Sequence, residues 1–277
     1  MTARRVAGVL AVLLALLTCA ACLGPRFSAR DRNAAAAQQD STLTATAAQR
    51  LGIPPEATVL ALPGADLHLR NTMPEEFRGV FSRPPYSMRV IDYPRDLSVR
   101  SIPSGVADID AAIRATPGPI IVLAYSQGAQ VASEWMREHA DDATAPGPDR
   151  LTFVLFGNPL RASGGDKVGK PTRRTTGLAT PTDTPWHIVD VARRYDGWAD
   201  SPTDKNNREA VRNADLGKLL IHPHYEGVDL DDAALTVWNR GNTTFVLTDE
   251  PVPPLAQGSA GQVEQTRSQI ESAYRRN

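Results

Sequence analysis

The sequence predicts an α/β fold: a central, mostly parallel sheet flanked by helices. Three observations predict it. Short apolar runs recur along the chain, at residues 58–62, 88–93, 120–124, 151–156 and 186–192. Most are continuous rather than alternating, as in strands buried on both faces. Helical patterns fall between or after them, at residues 104–115, after residue 126 and at 206–220. One run, Ile120 to Ala124, passes through a single serine straight into a helical pattern.

The first 24 residues have the shape of a targeting segment. Arg4 and Arg5 precede an apolar run from Val6 to Leu17, and a small-residue stretch ends at Cys22. A positive start, an apolar middle and small residues make a secretory leader. Three fates are consistent with it. Ala20-Ala21-Cys22 resembles a bacterial lipobox, although Cys19 stands where such boxes usually carry leucine. The segment could also be cleaved as an ordinary leader, or stay as an uncleaved anchor. The apolar run is a little short of the ~20 residues a spanning helix needs. In each case the rest of the chain leaves the cytoplasm. Residues 25–52 are polar and alanine-rich and read as a flexible linker. The folded domain is expected over residues 53–277.

Residues 58–62 form the first strand, closed by Pro63-Gly64-Ala65-Asp66. Such a turn is either an ordinary proline–glycine turn or a backbone donor loop beside the site. Residues 88–93 form the second strand. Val106, Ile109, Ala112 and Ile113 give residues 104–115 an apolar helical face, which Pro117-Gly118 ends. The third strand leads into Ala124-Tyr125-Ser126-Gln127-Gly128. Ala129, Ala132, Trp135 and Met136 then share one helical face. A serine between strand and helix has the geometry of a nucleophile elbow, whose usual form is G-x-S-x-G. Gly128 fits; Ala124 replaces the first glycine by the next smallest residue. The bland alternative is a serine capping a helix. The Gln127 N–H, together with Gly64 and Ala65 backbone, is the candidate donor set for a developing oxyanion.

Residues 140–149 read as a loop and 151–156 as a buried strand. Residues 161–185 break the rhythm with glycine, threonine, lysine and arginine. A loop of that length inside a domain is usually functional, so it is read as a lid-like insertion. Residues 186–192 make the next strand, and Asp196 falls just beyond its end, with Asp200 as competitor. Residues 206–220 read as helix and lead to His222 and His224. Elbow enzymes carry their residues in the order serine, acid, histidine. Ser126, Asp196 and then His222 or His224 keep that order. His68 and His139 precede the acid, and His187 lies inside a strand. The chemistry needs all three groups: a base to take the hydroxyl proton and a buried carboxylate to orient the base. Residues 229–240 are read as helix, 243–247 as strand and 263–274 as a polar, mostly exposed terminal helix.

Composition narrows the function classes. A formal net charge of −1 gives no push toward nucleic acid or an anionic surface. The 2 cysteines are Cys19 and Cys22, so the domain has no internal disulfide and no cysteine metal site. No metal and no cofactor is implied. Oligomeric state is left open.

With these residues on the page, the chain resembles a known family. D-V-A-R-R-Y-D-G-W-A-D-S-P at Asp190 to Pro202, Asn213-Ala214, and His222 with Tyr225 are similar to the PE-PPE domain of mycobacteria and relatives. So are A-Y-S-Q-G and L-T-F-V-L-F-G-N-P-L-R-A-S-G-G, and the terminal R-S-Q-I-E-S-A-Y-R-R-N. The likeness runs from about Thr58 to the C-terminus; Y-D-G-W-A-D is its most specific part. It implies a cutinase-like α/β-hydrolase with Ser126, Asp196 and His222 as catalytic residues. It favours His222 over His224, because the family's histidine precedes a tyrosine by three positions. It implies esterases or membrane-anchored acyltransferases that build acylated trehalose glycolipids. The expectation is therefore an exported serine hydrolase acting on a lipid or glycolipid acyl ester. The rivals are acyl transfer and a catalytically silent envelope binding protein. The N-terminus is the expected membrane contact.

Overall fold

The computed structural model describes residues 43–66 and 72–274. The leader, the linker up to residue 42 and His68 lie outside the described residues. Among the described residues, seven strands form one sheet in the order β2-β1-β3-β4-β5-β7-β6. They are β1 (Ala57–Leu62), β2 (Tyr86–Val90), β3 (Ile120–Tyr125), β4 (Leu151–Phe156), β5 (His187–Arg193), β6 (Thr236–Arg240) and β7 (Thr243–Thr248). Every pairing is parallel except β6 with β7. The mostly parallel sheet read from the sequence is thus the fold.

Each central strand is apolar throughout because both faces are covered. In β3, Ile120, Val122 and Ala124 join one core, while Ile121 and Leu123 join the other. Successive side chains point to opposite faces, so a continuous apolar run feeds two cores at once. The first core packs under helices α2 (Ser101–Ala115) and α3 (Gln127–His139), through Ile102, Ile109, Val131 and Trp135. The second lies under α1 (Ala45–Leu51), the 3-10 segment Glu76–Ser82 and the stretch around Tyr225 and Leu230. Full burial of a leucine or isoleucine is worth about 2 kcal/mol, as an upper bound.

Four differences from the sequence reading have physical causes. The helix α1 falls inside the expected linker. Its Ala47, Ala48 and Leu51 are buried, and His187 Nε2 meets the Leu51 carbonyl at 2.8 Å. Residues 229–240 contain no helix: they turn and then form β6, the antiparallel edge strand. The Gly241-Asn242 turn and the β-branched Thr236 and Val237 make a hairpin, and the stacked pair Trp238–Phe245 (5.4 Å) locks it across the strands. The terminal helix is two pieces, α5 (Val263–Ile270) and a 3-10 turn Glu271–Tyr274. It is not mostly exposed: Ile270, Ala273 and Tyr274 are buried with Tyr195 and with Ala210 of α4 (Arg208–Leu220).

The fourth concerns residues 161–185. β4 and β5 are parallel, so the chain must return from the carboxyl end of one to the amino end of the next. It does so without a helix. Only the first part, near Lys167, lies beside Trp198. The rest runs down α3, where Ser133 Oγ meets Thr180 Oγ1 at 2.8 Å and Arg137 donates to the Leu178 carbonyl at 2.8 Å. Most of the stretch is therefore a strap along the helix rather than a cover over the serine.

Candidate functional site

The sheet order fixes where a site can form. From β1 the chain moves outward to β2; from β3 it moves the other way, to β4. The loops leaving the carboxyl ends of β1 and β3 therefore diverge and open a crevice between them. The Pro63-Gly64-Ala65-Asp66 turn leaves β1 there, and Ser126 leaves β3 there.

Ser126 has φ 52° and ψ −109°, a conformation that a side-chain-bearing residue rarely adopts. Its surroundings hold it there. The Ser126 N–H donates to the Phe156 carbonyl at 3.1 Å, and α3 begins at the next residue. Gly128 lets the helix start this close to the sheet, because a Cβ at that position would meet the Leu62 carbonyl oxygen. Ala124 is fully buried in the core under α2 and α3, which has room for its methyl. The Gly64 backbone lies against the elbow: a Cβ there would sit 3.2 Å from Ser126 Cβ. The Gln127 N–H is the first of α3 and has no acceptor within the helix. Gln127 and the Gly64 loop thus bracket the serine.

Asp196 follows β5 and His222 follows α4, 26 residues apart in sequence. They meet because the 195–197 turn docks onto α4. His222 Nδ1 lies 2.8 Å from Asp196 Oδ2 and 3.0 Å from Oδ1, and His222 Nε2 lies 2.9 Å from Ser126 Oγ. Asp196 is fully buried. Burial alone would raise its carboxyl, but the His222 imidazole, the Tyr225 hydroxyl and the Trp198 N–H outweigh that and hold it below the usual range. An ionised carboxylate only accepts, so Nδ1 donates and Nε2 turns its lone pair to the serine hydroxyl.

The competitors are placed elsewhere. Asp200 is buried and accepts the Tyr195 N–H at 2.8 Å, with Arg194 at 3.6 Å. His224 is exposed and its Nδ1 faces Glu226 at 3.1 Å. His139 stacks on Trp135 with centroids 4.6 Å apart.

Sequence reasoning missed three aromatics. Tyr225 donates to Asp196 Oδ2 at 2.7 Å, while its own oxygen accepts the Arg193 N–H at 3.1 Å. Tyr125 stacks on the His222 ring at 5.1 Å and donates to the His222 carbonyl at 2.8 Å. Trp198 meets His222 edge-on at 6.4 Å. Tyr225 was visible only as a neighbour of His222. Nothing in a linear pattern shows a phenol reaching back 29 residues.

Comparison with known proteins follows the same residues. The chain is 35% identical over 178 residues to the esterase PE16 of Mycobacterium tuberculosis, covering 58% of this chain and 34% of that protein. It is 29% identical over 204 residues to the diacyltrehalose acyltransferase Chp2 of the same organism, covering 64% and 57%. It is 29% identical over 192 residues to the SL1278 acyltransferase Chp1, also from that organism, covering 63% and 46%. The chain thus spans between a third and just over half of the length of these relatives. Among solved structures, a cutinase-like protein from Cryptococcus sp. aligns with a TM-score of 0.39 and 22% identity, over 53% of this chain and 80% of that one. The family model described as the PE-PPE domain matches residues 83–260, a span that holds Ser126, Asp196, His222 and Tyr225 together, and the chain belongs to that family.

Proposed function

We propose that this chain is a serine enzyme acting on acyl esters through a covalent acyl-enzyme. The observation that carries this reading is the unbroken row from Ser126 Oγ to His222 Nε2 at 2.9 Å and from Nδ1 to Asp196 at 2.8 Å. In the proposed reaction His222 Nε2 takes the serine proton as Oγ attacks the ester carbonyl. The Gln127 N–H and the backbone of the Gly64–Ala65 loop steady the oxyanion. His222 returns the proton to the leaving alcohol, and Asp196 stabilises the imidazolium without itself being protonated. A water, activated by the same imidazole, then attacks the acyl-enzyme and frees the acid.

The substrate is proposed to be a lipid or glycolipid ester, since the relatives are named for esterase and trehalose acyltransferase activities. A second reading, acyl transfer, rests on two of those names. It changes only the second half: a sugar hydroxyl replaces water. Export is part of the proposal and rests on Arg4, Arg5 and the apolar run after them. The N-terminus is then the proposed membrane contact.

A panel of p-nitrophenyl esters of rising chain length, with and without trehalose, tests both readings. Turnover should appear in the wild-type chain and fall about 10⁶-fold in Ser126→Ala. Acylated trehalose as product would select transfer. A Ser126→Ala chain that keeps near-native rates would end the proposal.

A further inference from the structure

Beside His222, the half-buried Trp198 carries two ammonium groups over one ring. Lys167 Nζ lies 4.8 Å from the ring centroid and Lys218 Nζ lies 4.7 Å from it. Lys167 comes from the β4–β5 connection and Lys218 from the last turn of α4, so two separate segments converge on this indole. Two further lysines join them through one carboxylate. Asp166 lies 2.8 Å from Lys170, 3.8 Å from Lys205 and 3.6 Å from Lys218. Asp215, exposed, adds a 3.0 Å contact to Lys218. Three ammonium groups thus share two carboxylates, only one of which is sheltered, and Lys167 stands beside them.

Lys167 is the least compensated. Among the described residues it makes no ion pair within 4.0 Å; its close partner is the indole. Burial holds its ammonium below the usual range, and Arg174, Lys218 and Lys170 add to that against the pull of Asp166. Cations crowded in this way are stabilised by an incoming anion. The ring gives the site a rigid floor, and cation–π contact holds the two stems in place.

We propose that Lys167 and Lys218, over Trp198, recognise an anionic group (phosphate, sulfate or carboxylate) on the part of the substrate that lies beside His222. The location rests on the functional reading above. An ester carbonyl at Ser126 sends its alcohol side toward the imidazole that protonates it, and Trp198 is the ring on that imidazole's edge. The anionic group would then sit on the leaving alcohol or on the acceptor, one ring beyond the reacting atoms. The site selects by charge, so its strength falls as salt rises.

The test is calorimetric titration of the full chain with dodecyl phosphate below its micelle concentration. Dodecyl maltoside serves as the neutral control. The wild-type chain should bind the phosphate at least about tenfold more tightly than the maltoside, and Lys167→Gln/Lys218→Gln should lose that preference. Raising the salt should weaken only the phosphate. Inorganic phosphate is added in competition. Competition would mean the headgroup alone suffices; its absence, with the preference intact, would mean the group is recognised only on an amphiphile. Equal affinities in the wild type would overturn the proposal, as would a preference that survives in a double variant with an unchanged melting temperature. Turnover of neutral p-nitrophenyl butyrate is measured separately. Its failure would sink the ester reading without touching the binding result, and the reverse failure would leave the ester reading in place.

Discussion

At the scale of single residues, the arrangement around Asp196 separates roles that look alike in the sequence. Asp196 takes His222, Tyr225 and two backbone N–H groups, whereas Asp200 is committed to the Tyr195 N–H and Arg194. His222→Ala and Asp196→Asn should each lower ester turnover by about 10⁴-fold or more. His224→Ala should change it less than about threefold, because an exposed pair with Glu226 contributes little. Steady-state rates on one p-nitrophenyl ester decide this, and a sensitive His224 would reverse the assignment. Tyr225→Phe removes one donor from a buried carboxylate. We expect about 2 kcal/mol of lost stability, read by urea unfolding, and about tenfold lower turnover of the folded enzyme. An unchanged rate would reduce Tyr225 to a packing role.

Among the elements, the docking of the 195–197 turn on α4 decides whether acid and base meet. Gly217 makes that approach possible: a Cβ there would collide with the Tyr195 carbonyl oxygen. Gly217→Ala should therefore cost about 2–3 kcal/mol and lower Tm by roughly 5–10 °C. Turnover should fall further than the folded fraction does, since the His222 backbone N–H donates to the Gly217 carbonyl and the residue moves with it. A variant with native Tm would show that the helix yields at no cost. The edge hairpin has its own reason for existing. Trp238 and Phe245 stack at 5.4 Å, and both rings cover the buried Arg161 guanidinium at 5.2 and 5.0 Å. That guanidinium is paired with Asp190 at 3.3 Å. A hairpin that seals a buried ion pair cannot be exchanged for a helix.

For the molecule as a whole, one buried acid sets a pH dependence. Glu76 is buried in the segment leading to β2; among the described residues its Oε2 has no hydrogen-bond partner, and its other oxygen is bonded by Thr72. Burial pushes its carboxyl from 4.5 up to about 8; Glu226 and Glu75 add to this, while Thr72 and His224 oppose it. The folded chain then keeps a proton that the unfolded chain releases above about 4.5. Its contribution is complete below that pH and is lost as pH rises through about 8, at up to about 1.4 kcal/mol per pH unit. Glu76→Gln, which mimics the protonated form, should flatten the fall in stability between pH 5.5 and 8.5. Urea midpoints at three pH values measure it, and parallel curves for the two proteins would refute it.

The sequence by itself determined the parallel sheet, because strands buried on both faces must be apolar at every position. Leu151–Phe156 was legible to the residue for that reason. It also supplied the order of Ser126, Asp196 and His222, since a strand, a turn and a helix end each leave a local pattern. Tertiary structure decided the rest. Residues 45–51 and 263–274 carry weak periodicity, and only contact with the sheet or with Tyr195 shows which side is buried. Residues 236–240 are short enough to fit either period, and pairing with β7 chose the strand. Tyr125, Tyr225 and Trp198 reach His222 and Asp196 across gaps that no local pattern spans. Periodicity reports which face of an element is dry. What touches that face depends on the packing of elements distant in the chain, and that packing brought the aromatics to the histidine and its acid.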